Sequence, residues 1–381
     1  MKFGMGQSVR RTEDIRFVTG QGRYTDDLRF DGELFVAFLR SPHGHAKITS
    51  IDTSAAKAAP GVVGVLTYED IEAVGAAPMP LLAPIPSRDG SFAKSTAKPL
   101  LAKDKVTFAG EAIAMAVAET YAQACDAAEL VAVEYEPLDA AGTLDSAATG
   151  PQIWDNAPNN LCFDWITGDE AGVNEAFANA PHTASIEVVQ NRIVVNSMET
   201  RNAIALYDAV KDRYTLYSGT QGSAGLRDRI AKHVLNIPIE KLHVITPDVG
   251  GGFGMKGFMY PEQPLVLIAA KKFGRPVRWS SDRTEAFLAD NHGRDMRTKA
   301  ALALDAGGKI LAMRITGSAN MGGYLSQFAP FIPTLAGGRI FGGLYRVTKL
   351  FANIKGYFTN SAPIDAYRGA GRPEAAYLME R

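Results

Sequence analysis

Cysteine is almost absent from this 381-residue sequence, and its scarcity argues against two kinds of metal centre. There are two cysteines, Cys125 and Cys162, without C-x-x-C spacing and without a histidine at ligand spacing. Zinc sites and iron–sulfur clusters take several Cys or His ligands, so neither is expected on this chain. We expect both cysteines to be buried thiols in a reducing compartment. His43 and His45 form an H-x-H pair with no further ligand in sight, and are expected to belong to a structural turn.

Long apolar runs and an excess of charge are missing as well. The most continuous apolar stretch, PLVLIAA at 264–270, is far shorter than the roughly 20 residues that cross a bilayer. The N-terminal sequence MKFGMGQSVRRTED lacks the apolar segment of a signal peptide. The formal net charge is −1, so nothing favours binding to nucleic acid or to an anionic membrane. We expect a cytoplasmic protein that binds neither.

Apolar residues make up 46% of the sequence, enough for the cores of two or three domains at this length. Residues 1–18 are assigned to an N-terminal arm, the start of a charged and extended stretch that runs to residue 30. Residues 19–138 are predicted to form a small α/β unit. Its expected elements are strands over 33–41, 61–70 and 111–120, a loop over 73–100, and a helix running into a strand over 121–138.

Residues 139–160 are rich in turn formers and poor in apolar residues, so they are predicted to be a linker between separate folding units, open to proteases. The second unit, residues 161–381, is predicted to be α+β. Its expected elements are consecutive antiparallel strands over 183–195, 201–208 and 213–221, helices over 222–235 and 262–273, and strands over 241–249 and 276–282.

Glycine is plentiful, with 37 residues in the whole sequence, and the excess is concentrated between positions 219 and 371. The stretch TPDVGGGFGMKG at 246–257 contains a literal G-x-G-x-x-G. A dinucleotide-binding turn would place Pro261 inside the helix that must follow, where proline costs about 3 kcal/mol. A Walker loop would need Ser or Thr after Lys256, where the sequence has Gly257. A loop that only packs closely on its own protein remains an alternative.

Two further stretches share this pattern of a predicted strand, several glycines and then a helical segment. They are SGTQGSAGLR at 218–227 and APIDAYRGAGRPEA at 362–375. Helix N-termini present unpaired backbone N–H groups, so three of them could converge on one anionic ligand. Gln221, Phe253 and Arg368 would then lie around one site.

The three stretches resemble the molybdenum-binding large subunit of the xanthine oxidase family, which includes aldehyde oxidases, aerobic carbon monoxide dehydrogenases and bacterial hydroxylases of N-heterocycles. The segments VRRTEDIRFVTGQGRYTDDL, RSPHGHAKI, GEAIAMAVAET and NSMETRNAIALYD resemble the same family. The resemblance implies an α+β chain with a hammerhead α/β domain over 19–138. The first molybdopterin-binding domain would follow over 161–381 and would be incomplete.

The resemblance also implies roles for individual residues. Gln221 matches the glutamine that hydrogen-bonds an oxo ligand of molybdenum, and Arg368 matches the arginine that faces the substrate, so both are assigned catalytic roles. The metal would be held through the pterin and not by protein ligands. The residues expected to bind the cofactor are Gln221, Gly222, Gly251, Gly252, Phe253, Gly254, Arg368, Gly369 and Ala370.

Two departures from the family pattern bear on the substrate. Purine-oxidising members carry a glutamate where this sequence has Gly257, and carbon monoxide enzymes carry a copper-ligating cysteine where it has Gly369. An aldehyde or an N-heterocycle, with water as the oxygen source, is therefore the expected substrate.

The sequence ends in RPEAAYLMER, after about two turns of a predicted helix, whereas family members continue for about as long again. The resemblance places the catalytic glutamate, a general base, in that second half. We therefore expect a truncated or split subunit that is inactive alone, binds molybdopterin in its cytosine dinucleotide form, and needs partner chains carrying 2Fe–2S clusters and FAD. The alternatives are a catalytically inert cofactor-binding half and an NAD-dependent dehydrogenase.

Overall fold

The structure, a computed structural model, describes residues 5–381. Strands and helices are interspersed along this part of the chain. The strands are β1 (Leu34–Arg40), β2 (Ala46–Asp52), β3 (Val62–Leu66), β4 (Lys105–Val106), β5 (Ala112–Ala118), β6 (Ala132–Pro137), β7 (Leu161–Gly168), β8 (His182–Gln190), β9 (Asn202–Asp208), β10 (Arg213–Tyr217), β11 (Leu242–Ile245), β12 (Val277–Ser280), β13 (Met296–Leu304), β14 (Ile310–Gly322) and β15 (Leu350–Phe358). The α-helices are α1 (Asp14–Val18), α2 (Ser54–Ala58), α3 (Tyr68–Ala73), α4 (Tyr121–Glu129), α5 (Leu144–Ala147), α6 (Glu170–Asn179), α7 (Ser223–Ile230), α8 (Glu262–Phe273), α9 (Arg283–Ala289) and α10 (Arg372–Glu380).

The elements with the most regular apolar patterns form where the sequence predicts them. The strand β5, AIAMAVA, is buried along its whole length, as expected for a continuous apolar run. The helix α8 has the predicted bounds and stops at Gly274, whose φ of 65° is left-handed and favours glycine. The helix α7 buries Leu226 and Ile230 on one face, and a wider helical turn over 231–235 continues it.

One seven-stranded sheet runs through both predicted units, in the order β11-β10-β9-β12-β1-β5-β3. The strands β1 and β12 pair in parallel, with Leu34 opposite Val277. Leu34 and Val36 pack into the same hydrophobic core as Val277 and Trp279. One sheet and one core thus join the two predicted units through a long-range strand pairing that no local pattern reveals, and their separate folding stays a prediction.

The segment 139–160 also differs from the predicted linker. It contains α5 and contributes four buried apolar side chains to the packing, those of Ala141, Ala147, Ile153 and Ala157. The side chain of Asn160 is buried with them, and its Oδ1 accepts a hydrogen bond of 2.8 Å from the Ile153 amide. Composition missed this packing because most of the buried side chains are alanines. Preferred protease cleavage in this segment is no longer expected.

Two smaller sheets complete the fold, a five-stranded sheet β7-β15-β14-β13-β8 and a three-stranded sheet β4-β2-β6. The strand β8 pairs with β13, so the predicted run of three consecutive antiparallel strands is wrong for its first member. Only β9 and β10 pair as that prediction required. No helix within residues 5–381 has the length and apolar character needed to cross a bilayer.

The described part of the N-terminal arm is not extended throughout, because α1 lies within it. The arm is tied to Asp248, whose carboxylate accepts hydrogen bonds of 2.7 Å from the Arg16 guanidinium and 2.7 Å from the Arg23 amide. The Asp248 amide donates in return to the Arg23 carbonyl at 2.9 Å. The hydrogen bonds from Arg16 and Arg23 lower the pKa of Asp248 to about 2.

We predict that Asp248→Asn destabilises the protein in a pH-dependent way. A carboxyl group with a lowered pKa in the folded state contributes stability above its unfolded pKa and loses it as the pH falls through the folded value. The melting temperature of wild type should exceed that of the variant at about pH 6, and the difference should vanish as the pH falls from 3.8 to about 2. Asp14→Asn is the control, because the Asp14 side chain is 48% exposed and, within residues 5–381, forms an ion pair only with the nearby Arg11. A difference that stays constant with pH would contradict the assignment.

Candidate functional site

The three glycine-rich stretches meet where the two larger sheets adjoin. Loop 1 (residues 218–222) follows β10, loop 2 (248–257) follows β11, and loop 3 (362–371) lies beyond β15. Because β10 and β11 are parallel neighbours, loops 1 and 2 leave the seven-stranded sheet at the same edge. The Ser218 amide marks that edge, donating to the Ile245 carbonyl at 3.1 Å.

Direct hydrogen bonds join the loops to one another. The Gly254 amide of loop 2 donates to Gln221 Oε1 of loop 1 at 2.8 Å, and the Gln221 amide donates back to the Lys256 carbonyl at 3.0 Å. The Arg368 amide of loop 3 donates to the Phe253 carbonyl at 2.9 Å. The Arg368 guanidinium lies 5.9 Å from the centre of the Phe253 ring. The structure thus brings Gln221, Phe253 and Arg368 together, as the sequence analysis expected.

Close approach explains the glycines of loop 2. Gly251 and Gly254 have left-handed φ values of 102° and 101°, and Phe253 between them has a φ of 50°. A Cβ atom on Gly254 would lie 2.4 Å from the Ala366 carbonyl oxygen of loop 3, and one on Gly252 would lie 2.7 Å from the Gln221 side chain. A side chain at either position would push the loops apart.

Loop 3 turns sharply before α10. Gly369, Ala370 and Gly371 have left-handed φ values of 93°, 40° and 82°. A Cβ atom on Gly369 would lie 2.4 Å from Cγ of Pro373. Position 369 therefore cannot carry a cysteine without a shift of the loop. The copper-ligating cysteine of the carbon monoxide enzymes does not fit this backbone.

The helical segments after the loops are of two kinds. Loops 1 and 3 lead into the α-helices α7 and α10, whereas loop 2 leads only into a single 3₁₀ turn, Met255–Gly257. The next helix, α8, begins at Glu262 with Pro261 at its N-cap. A dinucleotide-binding turn requires the α-helix to open within the glycine loop itself, so loop 2 does not have that geometry.

Loop 2 contains backbone amides without a protein acceptor, and exposed side chains of loops 1 and 3 lie beside them. Among residues 5–381, the amides of Gly251, Gly252 and Phe253 donate to no protein acceptor. The side chains of Gln221 and Arg368 are exposed beside them. The Arg368 guanidinium pairs with no carboxylate of the described chain. Gly222 is also exposed, with open space around its Cα. Successive free N–H groups of this kind form a concave site for an anion.

The sequence analysis missed a set of largely buried charged side chains that pack behind the loops. Glu199 accepts a hydrogen bond of 2.7 Å from Lys256, whose side chain is fully buried. Behind them Arg201 contacts Glu262 at 2.6 Å and Asp290 at 2.5 Å. Burial disfavours the charged form of Glu262, but Arg201 and Arg40 hold its pKa below the usual range. The segment NSMETRNAIALYD, quoted only for its resemblance, contains Glu199 and Arg201 and was the available signal.

The histidines and cysteines singled out in the sequence lie outside the three loops and contact other parts of the fold. His45 Nδ1 lies 2.7 Å from the Asp139 carbonyl oxygen, and the His43 ring packs against Tyr135. Burial raises the pKa of the Cys162 thiol. Within residues 5–381 no group of three or more His, Cys, Asp or Glu side chains is arranged to hold a metal ion.

A cavity of about 580 Å³ lies away from the loops, lined by residues that include Tyr68, Leu100, Lys103, Trp154 and Tyr324. None of the three loops contributes to its wall. The loop face is therefore not part of this cavity.

We predict that Gly254→Ala destabilises the protein far more than Gly257→Ala. Position 254 combines a left-handed φ with a backbone contact that a methyl group would violate, whereas nothing lies within 4 Å of a Cβ atom on Gly257. The expected loss of unfolding free energy is about 1–3 kcal/mol for the first variant and within about 0.5 kcal/mol for the second. Urea denaturation measures both, and equal losses would show that loops 2 and 3 are not in close contact.

Two family models match the chain in sequence order. The model of the aldehyde oxidase and xanthine dehydrogenase a/b hammerhead domain matches residues 19–139, and that of the molybdopterin cofactor-binding domain matches residues 153–381.

Individual relatives agree with these matches. The chain is 34% identical to the 6-hydroxypseudooxynicotine dehydrogenase complex subunit gamma of Paenarthrobacter nicotinovorans and 35% identical to the carbon monoxide dehydrogenase large chain of Afipia carboxidovorans, in each case over 99% of this chain and 47% of the relative. The crystal structure of quinoline 2-oxidoreductase from Pseudomonas putida 86 is 33% identical, with a TM-score of 0.87 over 98% of this chain and 48% of that one. The chain thus spans about half the length of these relatives. It belongs to the xanthine dehydrogenase and aldehyde oxidase family, and it carries that family's hammerhead domain followed by its molybdopterin cofactor-binding domain.

Proposed function

We propose that this chain is the cofactor-binding part of a molybdenum hydroxylase that oxidises N-heterocycles or aldehydes, with water as the oxygen source. The observation that carries the proposal is the loop face, where three unpaired amides lie beside Gln221 and Arg368. Family membership and this face support the same conclusion, and a cytoplasmic location is part of the proposal.

The residues of the face fit a molybdopterin. Molybdopterin is anionic at its phosphate, and consecutive free N–H groups of Gly251, Gly252 and Phe253 suit an anion. Nothing lies within 4 Å of a Cβ position on Gly222, so a ligand has room to approach the backbone there. The residues proposed to hold it are Gln221, Gly222, Gly251, Gly252, Phe253, Gly254, Arg368, Gly369 and Ala370. We propose the cytosine dinucleotide form.

When bound, the cofactor supplies the redox centre that takes two electrons from the substrate. The contribution of the chain is to orient groups toward that centre. Gln221 Oε1 is occupied by the Gly254 amide, so its Nε2 group remains free to donate a hydrogen bond. The Arg368 amide is fixed on Phe253, and its guanidinium is left to stabilise negative charge that develops on the substrate.

The acid–base step requires a free carboxylate, and neither Glu199 beside loop 2 nor Asp365 of loop 3 is free. Glu199 is engaged by Lys256 and by the Gly250 amide. Asp365 is fully buried and accepts from the amides of Phe328 and Ala366. We propose that the general base comes from a polypeptide equivalent to the rest of the relatives' length, with which this chain forms one active subunit.

Exposed apolar side chains beside α10 support that second polypeptide. Leu344 is completely exposed, and Ile340, Tyr345 and Tyr377 are exposed by 37%, 48% and 46%. Tyr345 lies against the helix, donating to Glu380 at 2.9 Å. Apolar surface of this kind marks a contact with another polypeptide. The two cysteines of the sequence cannot hold an iron–sulfur cluster, so we also propose separate iron–sulfur and FAD subunits.

The substrate class follows from two positions of the site. Gly257 offers no carboxylate for purine recognition, and the backbone at Gly369 does not fit a copper-ligating cysteine. Relatives of this chain are named for nicotine and quinoline, including the nicotine 6-hydroxylase large subunit of Paenarthrobacter nicotinovorans at 35% identity. We therefore propose an N-heterocycle as the first substrate class to assay, and aldehydes as the second.

The test is to purify the chain alone and together with a polypeptide equivalent to the second half of the relatives, and to measure molybdenum content and dye reduction with quinoline, an aldehyde and carbon monoxide. The chain alone should show no turnover, and the complex should oxidise one of the two organic substrates. Turnover by the chain alone would contradict the proposed origin of the base. A complex that binds molybdenum without any turnover would favour the inert alternative.

In that complex we predict that Arg368→Ala lowers kcat by roughly 100-fold or more at unchanged molybdenum content, the size of effect seen when one donor to a developing anion is removed. Arg213→Ala is the matched control, because Arg213 is also exposed and lies at the start of β10, outside the three loops and the apolar surface beside α10. Equal activity of the two variants would remove Arg368 from the mechanism.

A further inference from the structure

We propose that Glu199 is a positioning residue that fixes loop 1 against loop 2. It thereby sets the geometry of the amide cradle, the free backbone amides of Gly251, Gly252 and Phe253. The cradle's ligand rests on the proposed function, whereas the fixing of the loops does not. Glu199 lies in neither loop, and its side chain is only 11% exposed, whereas those of Gln221 and Arg368 are exposed.

Three donors converge on the Glu199 carboxylate. Oε2 accepts from the Gly250 amide at 2.8 Å and from Lys256 Nζ at 2.7 Å, and both donors belong to loop 2. Oε1 accepts from Asn202 Nδ2 at 3.0 Å. The Glu199 amide also donates to the Gly250 carbonyl at 3.1 Å. One side chain therefore holds loop 2 at both of its ends, residues 250 and 256.

The connection continues into loop 1. Asn202 Oδ1 accepts from the Gly219 amide at 3.1 Å, while its carbonyl accepts from Ser218 Oγ at 2.7 Å. From the other side, Thr220 Oγ1 donates to the Lys256 carbonyl at 2.9 Å. Glu199 and Lys256 thus close a hydrogen-bonded ring through both loops, and the free amides of residues 251–253 lie within the part of loop 2 that this ring encloses.

Two glycines are explained by this carboxylate and not by a cofactor. A Cβ atom on Gly250 would lie 2.4 Å from the Glu199 Cβ atom, and one on Gly219 would lie 3.0 Å from Glu199 Oε2. Both positions must stay small for the loops to close around the side chain. Part of the glycine richness of loops 1 and 2 therefore serves the support beneath them.

Only a group that accepts at both oxygens satisfies this arrangement. A glutamine has one acceptor oxygen and one NH₂ group. In one orientation its NH₂ group would face the Gly250 amide and Lys256 Nζ, which are both donors. In the other orientation it would face the NH₂ group of Asn202, which is also a donor. Turning Asn202 around would oppose its own NH₂ group to the Gly219 amide. Glu199→Gln must therefore release at least one loop, while it changes the side-chain volume very little.

Glu199 also compensates the charge of the buried Lys256, and this structural role has to be distinguished from the positioning of the loops. The Lys256 side chain is fully buried, and its burial lowers the pKa while Glu199 raises it. Loss of Glu199 leaves an uncompensated charge, which destabilises a fold wherever it occurs. The double variant Glu199→Gln with Lys256→Met removes that charge and keeps the NH₂ conflict.

The experiment is hydrogen–deuterium exchange of the full chain without cofactor, for wild type, Glu199→Gln, the double variant and Glu33→Gln. Glu33 is the matched control, because its side chain is only 9% exposed, accepts from Arg278 of β12 at 3.0 Å, and lies just before β1 and outside the three loops. We expect amides in 218–222 or 248–257 to exchange at least about tenfold faster in Glu199→Gln, since a hydrogen bond to a charged group is lost. The double variant should recover its melting temperature but not its loop protection.

Unchanged loop exchange in Glu199→Gln, or equally faster exchange in Glu33→Gln, would overturn the inference. Recovery of loop protection in the double variant would also overturn it, because charge compensation alone would then explain the effect. If Glu199→Gln is too unstable to study, the double variant carries the test. A parallel measurement of molybdenum in the two-polypeptide complex keeps the hypotheses apart. A wild-type complex without molybdenum would refute the proposed function and leave the exchange result standing.

Discussion

The arrangement of the site depends on hydrogen bonds between the backbone of loop 2 and its two neighbours. The Gly254 amide is held by Gln221, and the Phe253 carbonyl is held by the Arg368 amide. Within residues 5–381 the amides of Gly251, Gly252 and Phe253 have no acceptor, which is an unfavourable state for a backbone without a ligand. The contacts between the loops also require glycine at positions where a Cβ atom would strike another loop. A backbone of this kind suits the close approach of an anionic ligand, which is the basis of the proposed function.

The fold brings the loops together through two different sheets. Parallel pairing of β10 and β11 carries loops 1 and 2 to one edge of the seven-stranded sheet, and loop 3 arrives from the five-stranded sheet beyond β15. The buried ion pairs of Arg201 with Glu262 and Asp290 lie beneath this junction. Charged pairs at such a place fix the relative position of elements more than they add stability. The hammerhead strands β1, β3 and β5 extend the same sheet, so the N-terminal region is part of the structural base of the site.

Sequence alone could predict the elements whose apolar pattern is regular and local. The buried strand β5 and the helix α8 formed as expected, and Gln221, Phe253 and Arg368 were placed together by their shared strand–glycine–helix context and by resemblance. The joined sheet, the packing of 139–160 and the pairing of β8 with β13 were missed, because each depends on contacts between distant residues or on alanines that composition does not weigh. Glu199 was missed for a different reason, since a single carboxylate between Met198 and Thr200 has no distinguishing local pattern.

The central claim is that the amides of Gly251, Gly252 and Phe253, with Gln221 and Arg368, form the cofactor site. The most direct measurement is a crystal structure of the molybdenum-loaded complex of this chain with its second polypeptide. The account predicts cofactor atoms within hydrogen-bonding distance of these three amides, with the Gln221 Nε2 group and the Arg368 guanidinium facing the same ligand. A cofactor bound elsewhere, for example in the cavity between Tyr68 and Trp154, with the three amides still unpaired, would contradict it.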